Sequence, residues 1–150
     1  MSVDSASYEG TREIVVHNGE CHCGLVKIAF EAPPDLVFDE CNCSICYKLG
    51  LIGVDIPASR LIKFEGKEYL KEYTFNKKIA KHWFCDRCGA SPLHVPRSNP
   101  NGYSIHLRCL DKSTLRSYKI VPFDGENWEA AIEREKAARD EALQRISNQE

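Results

Sequence analysis

The sequence contains no apolar run approaching the roughly 18 residues that a membrane-spanning helix needs. Residues Met1–Gly10 also lack the basic and apolar regions of a secretory signal. Net charge is low as well, because 20 Lys and Arg residues nearly offset 22 Asp and Glu residues and leave −2. Such a chain has no overall field to attract nucleic acid or an anionic membrane. We therefore expect a soluble, cytoplasmic protein, with the nucleus as a second location, that binds neither.

Cysteine is the residue that the sequence has in excess. Eight cysteines are many for 150 residues with no secretory signal, and thiols in a reducing compartment rarely pair as disulfides. Clustered cysteines in such a protein more often bind metal or take part in redox chemistry. The length suits one domain with a sizeable hydrophobic core. We therefore predict a metal-binding domain rather than a disulfide framework.

Short runs of β-branched and aromatic residues, separated by turn signals, predict a mainly β, antiparallel fold. Ile14–Val16 is expected to form a strand that leads into a turn at His17–Gly19. Further strands are predicted at Leu25–Phe30, Leu51–Ile56, Leu61–Phe64, Tyr69–Phe75 and Tyr103–Leu107. Residues 1–12, which are mostly small and polar, are predicted to be disordered. The zinc-binding β domain is accordingly expected to span residues 13–125.

The segment 126–150 is predicted to form a C-terminal helix. Between Glu126 and Ile146 it is rich in Ala, Glu, Lys, Arg and Leu and has no Gly or Pro, and Asp124 suits the N-cap. Its apolar residues fall loosely on one helical face: Trp128, Ala131, Ile132, Leu143 and Ile146. A surface helix packed by its first turns and a partner-binding helix are both compatible with this pattern.

Two of the three cysteine groups have the spacing of a closed, structural zinc site. Zinc prefers four ligands at tetrahedral corners, with thiolates about 2.3 Å from the metal. Cys85 and Cys88 are followed by Gly89, which supplies the permissive backbone of a tight turn. Cys21 and Cys23, followed by Gly24, are the natural second half. Zinc bound by these four cysteines would contribute directly to the free energy of folding.

The third group, Cys41, Cys43 and Cys46, fills three corners of a second zinc site. An open fourth corner is typical of catalytic zinc and can hold water or the sulfur of a thiol substrate. Alternatively, Cys109 or a histidine closes the site. Cys109 has apolar neighbours and suits a small buried residue better than a ligand. His22 is expected to be exposed, and His82, His94 and His106 are expected to be structural.

The order of the cysteine groups resembles that of the glutathione-dependent formaldehyde-activating enzymes and centromere protein V. The matching elements are Cys21–Gly24, Cys41–Cys46 and Phe84–Gly89, and the resemblance extends to Glu72–Asn76 and Phe123–Trp128. It implies a compact Mss4-like β fold stapled by zinc. It also implies two zinc ions per chain, one structural and one on the middle group: Cys21, Cys23, Cys85 and Cys88 for the first, Cys41, Cys43 and Cys46 for the second.

The resemblance further implies a carbon–sulfur lyase that combines glutathione and formaldehyde into S-hydroxymethylglutathione, with the middle zinc holding the thiol. The basic stretch Lys77–His82 could bind the carboxylates of the peptide, or it could be a solvated strand edge. The main alternative function is a non-catalytic, zinc-stapled interaction module, and a third is zinc or thiol buffering. Whether the middle zinc keeps an exchangeable fourth ligand separates the enzyme from the module.

Overall fold

The computed structural model describes residues 13–137, which form ten strands in two sheets. The mainly β prediction is confirmed. The strands are β1 (Val15–Glu20), β2 (Lys27–Ala32), β3 (Asp35–Cys41), β4 (Ile52–Pro57), β5 (Leu61–Glu65), β6 (Leu70–Tyr73), β7 (Lys81–Cys85), β8 (Leu93–Val95), β9 (Gly102–His106) and β10 (Ser117–Phe123). The disorder predicted for residues 1–12 lies outside the described residues.

The larger sheet has seven strands in the order β10-β3-β4-β9-β8-β7-β6. Its neighbours pair antiparallel except for β10, which runs parallel to β3 from Ser117 opposite Asp35 to Phe123 opposite Cys41. The predicted antiparallel β fold is thus confirmed for the other pairings of this sheet, and the parallel pairing at its edge is a feature that the prediction did not include. After β9 the chain crosses back, and its last strand, β10, lies beside β3. The segment after Phe123 therefore lies next to the cysteines at the end of β3.

The smaller sheet has the order β1-β2-β5, and both of its pairings are antiparallel. The predicted turn at His17–Gly19 is wrong, because these residues continue β1. They pair with β2, and Gly19 lies opposite Ile28. Gly19 is needed there for close packing: a Cβ would lie 3.0 Å from both the Cys109 carbonyl oxygen and Leu110 Cδ2. The glycine thus marks a tight contact within a strand rather than a turn.

Residues of the larger sheet alternate between a core face and an opposite face, as the two-residue period of a strand requires. On β4, Ile52, Val54 and Ile56 join the core that the two sheets share, while Gly53 and Asp55 point the other way. The core also takes in fully buried Phe30 of the smaller sheet. Burying one such side chain stabilises the fold by about 1.5–3 kcal/mol. The opposite face is left for polar residues.

Two short helices flank the sheets. Helix α1 (Ser44–Leu49) begins after Cys43, whose sulfur accepts a hydrogen bond from Cys46 N, and ends at Gly50 with φ of 68°. The predicted C-terminal helix is confirmed as α2 at 128–137, after a 3-10 turn at Gly125–Asn127. Asp124 gives that turn no side-chain cap, contrary to prediction. Leu143 and Ile146 lie outside the described residues. No helix within 13–137 is long and apolar enough to cross a membrane.

Candidate metal centres and the cavity beside them

The first two cysteine groups meet in space, as their spacing predicts. The sulfurs of Cys21, Cys23, Cys85 and Cys88 all lie within 4.8 Å of one another. Cys21 and Cys23 are 3.5 Å apart at their sulfurs, and Cys23 and Cys85 are 3.6 Å apart. A tetrahedron with metal–sulfur bonds of about 2.3 Å has edges of about 3.8 Å. These four thiols can therefore hold a metal ion of the size and preference of zinc.

The backbone around these cysteines forms two tight turns. Gly24 and Gly89 have φ of 81° and 79°, a region that residues with a Cβ rarely adopt, so the glycines are required. Gly89 N donates to Cys85 O at 2.8 Å and closes the second turn. Val26 N and Arg87 N lie 3.4 Å from the sulfurs of Cys21 and Cys85. Hydrogen bonds from N–H groups favour thiolate over thiol, which is the form that binds metal.

The third cysteine group lies where β3 meets α1. The sulfurs of Cys41, Cys43 and Cys46 lie within 4.8 Å of one another. Cys43 N and Cys46 N point at the sulfurs of Cys41 and Cys43, each at 3.4 Å. Hydrogen bonds from the Cys41 and Cys46 thiols lower the pKa of Cys43. The group can hold a metal ion with three thiolate ligands.

The Phe123–Trp128 segment covers this third group. Asn42, between two of the cysteines, donates from Nδ2 to Asp124 Oδ1 at 3.1 Å and accepts from Glu126 N at 2.9 Å. Gly125 packs so closely that a Cβ there would collide with Cys41 Sγ and would lie 2.9 Å from Cys43 Cβ. Position 125 therefore has no room for a side chain beside these cysteines.

Within residues 13–137, no fourth Cys, His, Asp or Glu side chain joins the three-cysteine group at ligand distance. Cys109 lies apart from both groups, with its sulfur 3.5 Å from Ser91 O. His22 is exposed, in agreement with expectation.

A cavity of about 470 Å³ opens beside the three-cysteine group, and we call it the cysteine cavity. Its wall includes two carboxylates that sequence analysis missed, Asp39 and Asp55. Burial raises the pKa of Asp39 to about 7, and the charge of Glu135 adds to this. Burial also raises the pKa of Asp55 to about 7, with smaller contributions from the charges of Asp39 and Glu135. Each carboxyl can therefore exchange a proton near neutral pH.

The sequence did carry a signal for both carboxylates. Asp55 is the single charged residue in the apolar run Leu51–Ile56, and its side chain is bonded by the hydroxyls of Ser104 and Ser98. Asp39 lies two residues before Cys41 on the same strand, so the pleat places both on one face.

The register of the sheet brings further polar side chains to the cavity wall. Asp55 is opposite Ser104, Ser104 is opposite His94, and His94 is opposite His82. All but Asp55 are 6% exposed or less. His82 and His94 also line the cysteine cavity. The expectation of a structural role did not anticipate this position.

The basic stretch Lys77–His82 lies partly over the cavity. Lys77 and Lys78 line it from the loop between β6 and β7, whereas only Lys81 and His82 belong to a strand. Lys78 has φ of 58°, an uncommon conformation for a residue with a side chain. A third cation on the rim is Arg97, whose guanidinium carbon lies 3.9 Å from the ring centroid of Trp128. The exposed part of the cavity wall therefore carries Lys77, Lys78 and Glu126, while Asp39 and Asp55 lie among its less exposed residues.

Comparison with known proteins agrees with these features. Residues 16–124 match the family model described as glutathione-dependent formaldehyde-activating enzyme. A crystal structure of a Rhodobacter sphaeroides protein is similar to this fold, with a TM-score of 0.56 and 34% sequence identity over 69% of this chain and 99% of that one. The chain belongs to the family of glutathione-dependent formaldehyde-activating enzymes.

Proposed function

We propose that this protein is a carbon–sulfur lyase that joins glutathione and formaldehyde into S-hydroxymethylglutathione and catalyses the reverse cleavage. The observation that carries the proposal is the three-cysteine group facing a cavity with no fourth protein ligand among residues 13–137. Cys41, Cys43 and Cys46 would hold one zinc, and Cys21, Cys23, Cys85 and Cys88 would hold a structural one. A zinc ion on three thiolates would lower the pKa of a thiol in the cavity.

The charges at the cavity suit glutathione, which carries two carboxylates and one ammonium group. Arg97 and the two lysines of the rim, Lys77 and Lys78, supply cations for the carboxylates. Glu126, also on the wall, supplies an anion for the ammonium group. The guanidinium of Arg97 is held by Trp128 and by an ion pair with Glu129 at 3.5 Å. Because this side chain is already held in place, binding glutathione would cost little of its conformational entropy.

The eight cysteines are free in this structure. A reducing cytoplasm would keep them so and would supply glutathione, which is why we propose that location.

Exchange-resolved proton NMR tests this function directly. The rate at which formaldehyde passes between free and glutathione-bound forms is measured with the wild-type protein and with Cys43→Ser. Serine preserves the cap on α1, because its hydroxyl can accept from Cys46 N, but removes the thiolate. Cys109→Ala, outside both groups, is the matched control. We expect two zinc ions per chain in wild type and control and one in Cys43→Ser.

Acceleration by wild type and by Cys109→Ala, with none by Cys43→Ser, would support the proposed reaction. A protein with two zinc ions that fails to accelerate exchange would contradict it. The zinc-stapled interaction module would then be the better description of the fold.

A further inference from the structure

Five ring side chains form a continuous stack along the polar face of the larger sheet. The ring centroids are 5.7 Å apart for Tyr73 and Phe75, 6.1 Å for Phe75 and His82, 4.8 Å for His82 and His94, and 4.9 Å for His94 and His106. The outer end is Tyr73, which is 50% exposed, and the inner end is His106, which is 3% exposed. The stack therefore runs from solvent into the interior, and its three middle rings, Phe75, His82 and His94, line the cysteine cavity.

Hydrogen bonds fix the inner end of this stack. His106 Nδ1 lies 2.5 Å from Ser91 O, and a carbonyl can only accept, so Nδ1 carries the hydrogen. His106 Nε2 is then the acceptor in the neutral ring, and His94 Nδ1 donates to it at 2.6 Å. Burial lowers the pKa of His106 to about 4 and also lowers that of His94. Both rings are neutral at pH 7, each with its hydrogen on Nδ1.

His82 is held in the stack but is not bonded at Nδ1. Among residues 13–137, His82 Nδ1 is the one buried side-chain nitrogen or oxygen that lacks a hydrogen-bond partner. Leaving a buried polar atom without a partner costs free energy, and such atoms are uncommon in folded proteins. The ring, 5% exposed, lies between Phe75 and His94. It borders the cysteine cavity and a second cavity of about 510 Å³ that α1 also lines.

Addition of a thiol to formaldehyde needs a group that moves one proton. The sulfur loses its proton and its electron pair forms the carbon–sulfur bond. The pair of the carbonyl π bond moves to oxygen, which then takes up a proton. Nothing is oxidised or reduced, so the net demand is one proton transferred from sulfur to oxygen. A neutral imidazole can take the first proton and return it to the oxygen, because it has one lone pair and one N–H.

We propose that His82 carries this proton and that His94 and His106 are positioning residues that hold its ring. This inference rests on the proposed function. His82 borders the cysteine cavity and its buried Nδ1 has no hydrogen-bond partner, whereas the rings of His94 and His106 are bonded through to the Ser91 carbonyl. The oxygens of Asp55, a carboxyl on the same cavity wall, already accept from two serine hydroxyls.

Two variants of His82 test the proposal. His82→Phe keeps a ring in the stack and removes both nitrogens, and His82→Asn keeps a hydrogen-bonding amide that cannot carry a proton. We expect both to slow formaldehyde–glutathione exchange by about 10²–10⁴-fold while retaining two zinc ions per chain. His22→Asn, the same change at an exposed histidine outside the cavity, is expected to keep the wild-type rate. Wild-type rates in both His82 variants would overturn the proposal.

A readout independent of turnover comes from long-range proton–nitrogen NMR of histidine-labelled protein loaded with zinc. His94 and His106 are expected to show hydrogen on Nδ1, and His106→Asn is expected to change the His82 and His94 signals. Adding glutathione alone should shift the His82 Nδ1 resonance. An unchanged His82 resonance at saturating glutathione would overturn the role of His82.

The experiments distinguish failure of the proposed function from failure of the proposed role of His82. Failure of the wild-type protein to accelerate exchange removes the proposed function. An active wild type with equally active His82 variants removes only the role of His82.

Discussion

The side-chain amide of Asn42 bonds to the carboxylate of Asp124 at 3.1 Å across 82 positions of sequence. Its carbonyl oxygen accepts from Glu126 N, so one residue ties the cysteine turn to the segment that covers it. We expect Asn42→Ala to lower the free energy of unfolding by about 1 kcal/mol, since these bonds are exposed. Urea unfolding of the zinc-loaded protein measures the change.

Exchanging the amide and the carboxylate between positions 42 and 124 gives a stricter test of this hydrogen bond. Asn42→Asp alone places two carboxylates together and should destabilise more than Asn42→Ala. Adding Asp124→Asn restores an amide opposite a carboxylate, so the double variant should recover part of the loss. Additive effects of the two changes would show that the bond contributes nothing.

Gly125 is predicted to be essential for the three-cysteine group, because a Cβ there collides with Cys41 Sγ. We expect Gly125→Ala to reduce zinc from two ions to one per chain, as measured by mass spectrometry of the metal content. Gly50→Ala is the matched control: its φ of 68° makes alanine unfavourable, but a Cβ there meets no atom within 4 Å. The control should lose about 1 kcal/mol of stability and keep both zinc ions.

Arg97 is predicted to bind a carboxylate of glutathione. Removing a hydrogen bond to a charged group costs about 1.5–3 kcal/mol, so Arg97→Ala should weaken glutathione binding roughly 10- to 100-fold in calorimetric titration. Arg97→Lys should recover only part of this, because lysine lacks the planar fork of the guanidinium. Arg87→Ala removes an exposed arginine outside the cavity and should leave affinity unchanged. Equal affinities for glutathione in all four proteins would show that Arg97 does not bind a carboxylate of glutathione.

Asp55 should make the protein less stable as pH rises. Its pKa is about 7 in the folded protein, chiefly through burial, against about 3.9 in an unfolded chain. The folded state therefore holds the proton more tightly, and stability falls between pH 4 and pH 7 by at most about 1.4 kcal/mol per pH unit. Asp55→Asn should remove the part of this slope that comes from Asp55, leave the part that comes from Asp39, and be more stable than wild type at pH 8.

Urea unfolding of both proteins from about pH 4 to pH 8 measures that difference, and effects of zinc loss that are common to both proteins cancel. Asp111→Asn is a control of opposite sign. Hydrogen bonds from Ser113 lower the pKa of Asp111, so its charged form stabilises the fold and its loss should weaken the protein at neutral pH. A wild type whose stability does not fall relative to Asp55→Asn would contradict the buried-acid assignment.

The two cysteine groups should differ in their effect on folding. Cys21 and Cys85 are 1% exposed and pack with Val26 in a second small core, so the four-cysteine metal would be part of that core. We expect Cys88→Ser to abolish cooperative thermal unfolding, because zinc binding there is folding free energy. Cys43→Ser should shift the melting temperature by only a few degrees. Comparable melting curves for the two variants would contradict this division into a structural and a functional group.

The cysteine groups were predictable because each depends on local spacing, and in two of the three also on the glycine that follows. The cavity was not, since Asp55, Ser104, His94 and His82 meet only through the pairing of β4, β9, β8 and β7. Periodicity assigns each side chain to a face but does not specify which strands are neighbours. The parallel pairing of β10 was missed for the same reason. The turn predicted at His17–Gly19 failed because Gly19 serves packing rather than backbone reversal.

The parallel pairing of β10 with β3 has a consequence for synthesis. A ribosome produces Cys41, Cys43 and Cys46 early, but their cover at Gly125 emerges only after the four-cysteine group is complete at Cys88. The nascent chain therefore completes the four-cysteine group while the three-cysteine group still lacks its cover. The three-cysteine group would be finished last, after the four-cysteine group could already have bound its metal.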